Sequence, residues 1–401
     1  MTKTLDSLLA IGLIEVPREI PILTDEPRIS SFFCSPNNIS QDKYDTEDSF
    51  GQGFDFNRNK SKIKSMAEAL ERLCLFNPNG NMIHSRFKDD ETFARPSDFN
   101  CYSNEQIPEL LNFLNELDES EYEWVTSKNL TTGRDVLIPA QTVFLYTNKI
   151  NEKPIRKEQI STGAAFGKIG EQRALRSGFM ETIERDGIMN FYLTRRQGRK
   201  MHDFSARIQE LIDYFSRYQL ETHIFDTTSN LGIPTIFALT VDRSGIGDAI
   251  NVGSKSDLTY EGAIMGALME SIQCRRYSRT SFSFKPPAKI PDDQNIHSLE
   301  ERFLYWGEID RISDLNFMIN EEPSISYNNL NRKRITFTQA LNRVKSKGFN
   351  IYVVDISLPD IKSRGFETKK VIIPELHPLY LDERENHYIV NIMELFKMIK
   401  L

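Results

Sequence analysis

The stretch "FMETIERDGIMNF" (residues 179–191) decides how this chain is read. Phe179, Met180, Ile183, Ile188, Met189 and Phe191 belong in a packed interior, yet Glu181, Glu184, Arg185 and Asp186 are threaded among them. An α-helix brings residues three and four apart onto one face. Glu181 and Glu184 therefore look the same way, while Phe179, Ile183 and Ile188 are expected to pack on the other side. Two carboxylates buried side by side cost several kcal/mol, on the order of a lost ion pair, unless a cation meets them. The alternative is a surface helix with local Glu to Arg pairs, worth only a few tenths of a kcal/mol each. The Phe, Met, Ile and Gly neighbours argue against that alternative, because a solvated face would carry Lys, Gln and Glu in their place.

The same pattern occurs twice more. "SMAEALERL" (65–73) holds Ser65, Glu68, Glu71 and Arg72, and "ALMESIQCRR" (267–276) holds Glu270, Gln273, Arg275 and Arg276. In each, an acid is followed three residues later by a second acid or its amide analogue. Each segment is preceded by a run of small residues: "GQGFD" (51–55), "STGAAFG" (161–167) and "NVGSKSD" (251–257). We read these runs as loops whose backbone amides lie open to a ligand. Glu and Gln side chains converging from separate helices suit Mg²⁺, which takes oxygen ligands, and interleaved arginines suit phosphate oxygens. No GxxxxGK[ST] occurs in the chain, so a nucleotide would be bound without a Walker loop.

The rest of the chain sets the frame. With 401 residues, 39% apolar and 27% charged, it has the balance of a globular protein, and a net charge of −7 without long one-sign blocks points away from nucleic acid and membrane surfaces. One basic run, "NRKRITFTQALNRVKSKG" (331–348), reads as a solvated helix face in preference to a binding patch. Cys34, Cys74, Cys101 and Cys274 have neither zinc-site nor disulfide-framework spacing, so a cytoplasmic setting is expected. The apolar run "LLAIGLI" (8–14) is too short to span a membrane and lacks signal-peptide flanks. Helices are predicted over 104–118, 206–218 and 338–347 and in the last dozen residues. Strands are predicted in "DVLIPAQTVFLYT" (135–147), "ETHIFDTT" (221–228), "IPTIFALTVD" (233–242), "FNIYVVDIS" (349–357) and "KKVIIPELHPLYLDE" (369–383).

Together, Ser65-x-x-Glu68-x-x-Glu71-Arg72, Glu181-x-x-Glu184-Arg185-Asp186 and Glu270-x-x-Gln273-x-Arg275 resemble the three ATP-binding motifs of the YcaO superfamily. "FDTTSNLGIPTIFAL" (225–239) and "YVVDISLPDIKSRGFETKKVIIPELHPL" (352–379) are similar to that family as well, so the likeness runs from about residue 48 to 383. The resemblance implies an α+β fold with sheets covered by helices around a non-Walker ATP cleft. Residues 1–47 would form an N-terminal extension packed on a domain spanning 48–401. It further implies ATP-dependent phosphorylation of a peptide backbone amide, with Glu68, Glu71, Glu181, Glu184 and Glu270 as Mg²⁺ ligands. Ser65, Arg72, Ser161, Gly163, Arg185, Gln273 and Arg275 would contact ATP. No single catalytic residue is assigned.

Two products are compatible with that chemistry. Attack by a neighbouring Cys, Ser or Thr side chain gives a thiazoline or oxazoline in a ribosomally made peptide, and attack by external sulfide gives a thioamide. Azoline-forming members commonly end in a proline-rich PxPxP tail. This chain ends "LFKMIKL" (395–401), which favours the thioamide, whereas the opening "LDSLLAIGLIEVPREIPILTDEPRISSF" (5–32) is closer to azoline-forming members, and the azoline is kept ahead. Fewer than 50 residues precede the domain, so a separate leader-binding E1-like or TfuA-like partner is expected. A homodimer is compatible with the resemblance. A non-catalytic, peptide- or partner-binding subunit is the reading of another class, and the retained acids count against it.

Overall fold

The computed structural model describes residues 7, 9–37, 49–78, 80, 82–100, 109–145, 152–156, 161–194, 199–281, 296–330 and 333–379. In chain order the elements that build the site are strands β1 (Arg18–Ile20), β2 (Ser30–Cys34) and β3 (Gly51–Asp55), helix α1 (Arg58–Phe76), and strands β4 (Ile83–Arg86), β5 (Glu121–Asn129), β6 (Asp135–Pro139) and β7 (Ala164–Lys168). Helix α2 (Arg173–Thr194) follows, then β8 (Met201–His202), α3 (Ala206–Ser216), β9 (Leu220–Asp226), β10 (Thr235–Asp242), β11 (Ile250–Ser256) and α4 (Tyr260–Ser281). The chain continues through β12 (Ile325–Ser326), α5 (Phe337–Lys345), β13 (Tyr352–Asp355) and β14 (Phe366–Ile372). A helix at Leu110–Glu119 precedes β5.

The fold is α+β, with antiparallel sheets covered by helices. β1, β2 and β3 form one three-stranded sheet, β11, β10 and β9 a second, and β4-β5-β13-β14-β7 with β6 on β5 a third. α1 lies on β3 and β2 and reaches β7; α2 crosses β7 and β14 and continues to β10 and β11; α4 lies on β11 and β10. The three motif helices thus each cover a different strand, and α2 spans two sheets. Phe179 and Ile183 are buried in an apolar cluster with Val344, Ile351 and Val371, which is where the sequence puts them. Ile188 does not join them: it is only half-buried, and Met189 is the buried residue of that turn.

The three runs of small residues are strands, not loops. β3 is "GQGFD", β7 is "AAFGK" and β11 is "INVGSKS". Their glycines serve a close helix-on-strand approach. A Cβ at Gly51 would drive into the Ser65 carbonyl and the Ala69 nitrogen, and one at Gly253 into the Ala267 carbonyl and the Ser271 nitrogen. The predicted strand 135–147 ends at Pro139 and turns into a 3₁₀ helix at Ala140–Thr142. The predicted C-terminal helix lies outside the described residues. Among the described residues, no helix is long and apolar enough to cross a membrane.

Candidate active site

The close packing of strand on helix gives each motif helix the same anchor. The Gln52 amide of β3 donates to Glu68 Oε2 at 3.1 Å, the Gly163 amide beside β7 donates to Glu181 Oε2 at 3.0 Å, and the Ser254 amide of β11 donates to Glu270 Oε2 at 2.9 Å. One oxygen of the first acid in every motif is therefore fixed by a backbone amide in or next to a strand. The arginines repeat too. Arg72 Nη2 lies 3.3 Å from Glu68 and its Nη1 3.7 Å from Glu71, while Arg185 Nη2 lies 3.3 Å from Glu181 and its Nη1 3.7 Å from Glu184. Each guanidinium straddles the two acids of its own helix: the arginine lies four residues after the first acid, on the same face, and directly follows the second.

The three helices do not stay separate. Repulsion from Glu181 reaches Glu68 and Glu71 on α1, and repulsion from Glu184 reaches Glu270 on α4. α2 is thus shared by two groups of acids: Glu68, Glu71 and Glu181 on one side, and Glu184 with Glu270 on the other. The environments differ. Glu184 is 1% exposed and is held by Lys255 Nζ at 3.0 Å, the Ser256 amide at 3.1 Å and Ser254 Oγ at 3.1 Å. Burial opposes its charge, but Lys255 and Arg185 win, and its carboxyl sits below the usual range. The pull is mutual: Glu184 raises the Lys255 amine. Burial pushes Glu71 well above the usual carboxylate range against the pull of Arg72, with Glu181 and Glu68 adding to the rise. Burial and the Glu184 charge push Glu270 up to about 7.

Carboxylates clustered where their own charges repel are the ones a divalent cation relieves, and their hard oxygens fit Mg²⁺. Among the described residues no three of them converge on one point as a closed cage.

The site residues expected from sequence separate into two sets. Glu68, Glu71, Arg72, Glu181, Glu184, Arg185 and Glu270 are brought together, and Gln273 lies half-buried one turn beyond Glu270. Gly163 does not offer its amide to a ligand, because Glu181 takes it. Ser161 is half-buried at the start of that turn. Ser65 is fully buried, and its hydroxyl donates to the Lys62 carbonyl of its own helix, so it does not line a cleft.

Arg275 is placed away from the acids of the motifs. Its Nε donates to Glu26 at 2.9 Å, Nη2 to Asp242 at 2.7 Å and Nη1 to the Asp248 carbonyl at 2.9 Å. It is five residues beyond Glu270, or about 140° around a helix, and so faces another way. Arg276 and Arg279 extend the same network to the carbonyl of Pro27 and to Asp25 and Glu26. The N-terminal segment is held on α4 by these arginines.

Lys255 and Lys370 lie outside the three motifs. Lys370, on β14, is 1% exposed; burial lowers its amine to about 7 while Glu181 and Glu71 oppose the shift. Strand alternation would have flagged it: Phe366, Thr368, Lys370 and Ile372 share one face, and the other three are inward by composition. Asp186, the fourth charge of the opening stretch, accepts from the His377 amide at 3.0 Å and from Asn190 Nδ2 at 3.0 Å. It ties the chain after β14 to the motif helix.

The family model described as YcaO cyclodehydratase, ATP- and Mg²⁺-binding, matches residues 51–377. This chain belongs to the YcaO family. ATP and Mg²⁺ are the cofactors of that family, and the paired acids and arginines of the three helices fit both. An uncharacterized protein of Methanothermobacter thermautotrophicus is 30% identical over 224 residues, which cover 54% of this chain and 55% of the relative. The chain thus matches about half the length of that relative. Three solved structures share the YcaO fold. A heterocyclase in complex with substrate and cofactor superposes with a TM-score of 0.72 at 17% identity, over 94% of this chain and 52% of that one. The YcaO protein of Methanopyrus kandleri bound with AMPPCP and Mg²⁺ gives 0.68 at 16% identity, over 97% and 94%. The E. coli microcin synthetase McbBCD complex with pro-MccB17 gives 0.61 at 15%, over 90% and 88%.

Proposed function

We propose that this YcaO protein phosphorylates a peptide backbone amide with ATP and so drives cyclodehydration of Cys, Ser or Thr to a thiazoline or oxazoline. The observation that carries this reading is the repeated arginine clasp: Arg72 and Arg185 straddle acid pairs at the same distances on two helices that meet through Glu181. Glu68, Glu71, Glu181, Glu184 and Glu270 would hold Mg²⁺, and Arg72, Arg185 and Gln273 would line the phosphates. When bound, the metal neutralises charge on the transferring phosphoryl group.

In the reaction the side-chain thiol or hydroxyl adds to the preceding carbonyl carbon and gives up its proton. The carbonyl oxygen takes the γ-phosphoryl group from ATP, leaving ADP, and departs as phosphate as the C=N bond of the ring forms and the amide proton is lost. An amide oxygen leaves poorly and a phosphate leaves well, which is why ATP is spent. The arginines offer fixed guanidinium donors where phosphate charge develops, and the backbone amides of Gln52, Gly163 and Ser254 hold the acids in place at no reorganisation cost. A leader-binding partner, of the E1-like kind or TfuA-like, would present the peptide; the similar E. coli microcin synthetase McbBCD is a complex with pro-MccB17 bound.

The test labels the substrate amide oxygen with heavy isotope. Label in the released phosphate, with loss of one water mass from the peptide, supports the reading. Exchange of oxygen for sulfur in the product would replace it with thioamidation, and unlabelled phosphate would remove amide phosphorylation altogether.

A further inference from the structure

Ahead of the residues that the family model matches, the chain sends one acid into the far side of α4. Glu26, in the connection between β1 and β2, is fully buried. Its Oε1 accepts from Arg275 Nε at 2.9 Å and from Arg279, while its Oε2 has no hydrogen-bond partner among the described residues. Arg279 also pairs with Asp25 at 2.9 Å, and Arg276 donates to the Pro27 carbonyl at 3.0 Å. Arg275 ties this segment to the second sheet: Nη2 reaches Asp242 at the end of β10, and Nη1 reaches the Asp248 carbonyl in the turn before β11. That carbonyl also accepts from Asn251 Nδ2 of β11 at 3.1 Å, and a Cβ at Gly247 would fall on the guanidinium. The turn closes on Arg275.

A knot of this kind is costly to bury. A carboxylate taken out of water gives up its hydration, and one left with an empty oxygen recovers only part of that loss. Stability alone is a weak reason to keep it, because well-packed apolar residues serve as well or better. What the knot supplies is a fixed rotation of the helix. Gly253 lets α4 lie close on β11, which sets the distance between the two. Two side chains about 140° apart then grip the helix about its axis: Glu270 on the Ser254 amide and, about 7.5 Å further along, Arg275 in the knot. Side-chain tips stand about 5–6 Å from a helix axis, so a turn of about 10° would carry the Glu270 carboxylate about 1 Å relative to Glu184. A misplacement of about 1 Å is enough to cost on the order of a hundredfold in a reacting site.

We infer that Glu26 is a positioning residue of the site: through Arg275 it fixes the rotation of α4 and so the place of Glu270 opposite Glu184. This role rests on the reading of Glu270 as a Mg²⁺ ligand, and adds that a residue ahead of the family match governs it. Arg275 is then the link between the two and not a phosphate contact.

Calorimetry on the full chain tests it, with MgAMPPNP and with AMPPNP in EDTA as the two probes. Glu270→Gln should weaken MgAMPPNP binding by about tenfold or more and metal-free AMPPNP binding by less than about twofold, as loss of a metal ligand requires. Glu26→Ala should show the same split. Arg275→Lys keeps the charge but cannot reach all three partners; it should show the split too, and it answers the question if Glu26→Ala does not fold. Glu26→Gln keeps an acceptor for Arg275 Nε, so it should hold MgAMPPNP affinity within about twofold of the parent while its melting temperature falls. Glu19→Gln breaks the 2.7 Å pair with Arg58 that ties the same segment to α1, and should leave both affinities unchanged. Parent-like MgAMPPNP affinity in Glu26→Ala or Arg275→Lys overturns the positioning role, as does a Glu26→Gln affinity no better than that of Glu26→Ala. Equal losses with and without metal overturn it in favour of a direct phosphate contact by Arg275. Parent-like affinity in Glu270→Gln instead removes Glu270 from the metal set, and with it the role that Glu26 would serve.

Discussion

Glu184 shows at the scale of one residue why four charges sit in a core helix. Its carboxylate receives Lys255, Ser254, Ser256 and Arg185, so its buried charge is met on every side. Replacing it with Gln keeps the size and removes the charge, stranding two cations. Glu184→Gln should lose several kcal/mol of stability, of order 3–5 by analogy with broken buried pairs, and should weaken MgAMPPNP binding by about tenfold or more. Thermal unfolding and calorimetry check the two. Equal MgAMPPNP affinity in Glu184→Gln and Glu71→Gln would remove both from the metal set. Asp186 is different. It holds the His377 amide and Asn190, so Asp186→Ala should cost about 1–3 kcal/mol by leaving a buried N–H unpaired. MgAMPPNP affinity should change little in that variant, which separates a tether from a ligand.

At the scale of elements, the unit that recurs is a strand of small residues under a helix of charged ones. The helices were legible because 3.6-residue periodicity and the i+3 spacing of Glu68, Glu71, Glu181, Glu184 and Glu270 act within a single segment. The strands beneath them were not. "GQGFD" has no β-branched residue and "NVGSKSD" has only Val252, a weak strand signal, since Gly51 and Gly253 are there to admit a helix backbone that only the tertiary fold brings near. Arg275 misled for a related reason: nothing local reveals that Glu26, two hundred and more residues earlier, claims it. Lys370 is placed inward by strand alternation, but its role is not visible locally because its partners Glu181 and Glu71 come from two other elements. A Cβ at Gly253 cannot be relieved by rotating a side chain, because backbone atoms of α4 meet it. Gly253→Ala should therefore push α4 off β11, cost about 1–3 kcal/mol or more, and weaken MgAMPPNP binding through the displaced Glu270. Gly133→Ala is the control: its φ of 76° strains a side chain, but nothing lies within reach of the new Cβ and the site is untouched.

At the scale of the whole molecule, the site draws on three separate sheets through β3, β7 and β11, so its electrostatics belong to the fold's stability. Glu270 titrates near 7 in the folded protein against 4.5 as its ordinary value, because burial and Glu184 oppose its charge. Between those two values the unfolded chain has already released a proton that the folded chain still holds. Raising pH through this window thus favours unfolding, and Glu71, shifted the same way, adds to the trend. Glu184 runs the other way: its carboxyl is lowered, so its contribution is present above the ordinary carboxylate value and is lost only as pH falls below it. The metal-free protein should accordingly lose thermal stability as pH rises from about 5 to 7.5. A divalent cation binds the deprotonated acids and reverses the sense of the effect. Melting curves taken across that range should show the stabilisation by MgAMPPNP growing with pH, since the ligand must displace protons at low pH and finds the carboxylates ionised at high pH. Glu270→Gln, which cannot titrate, should flatten both trends. A parent protein whose metal-free stability is level across the window would show that these acids ionise at their ordinary values, and that the repulsion between α2 and α4 is relieved by the protein itself before any metal arrives.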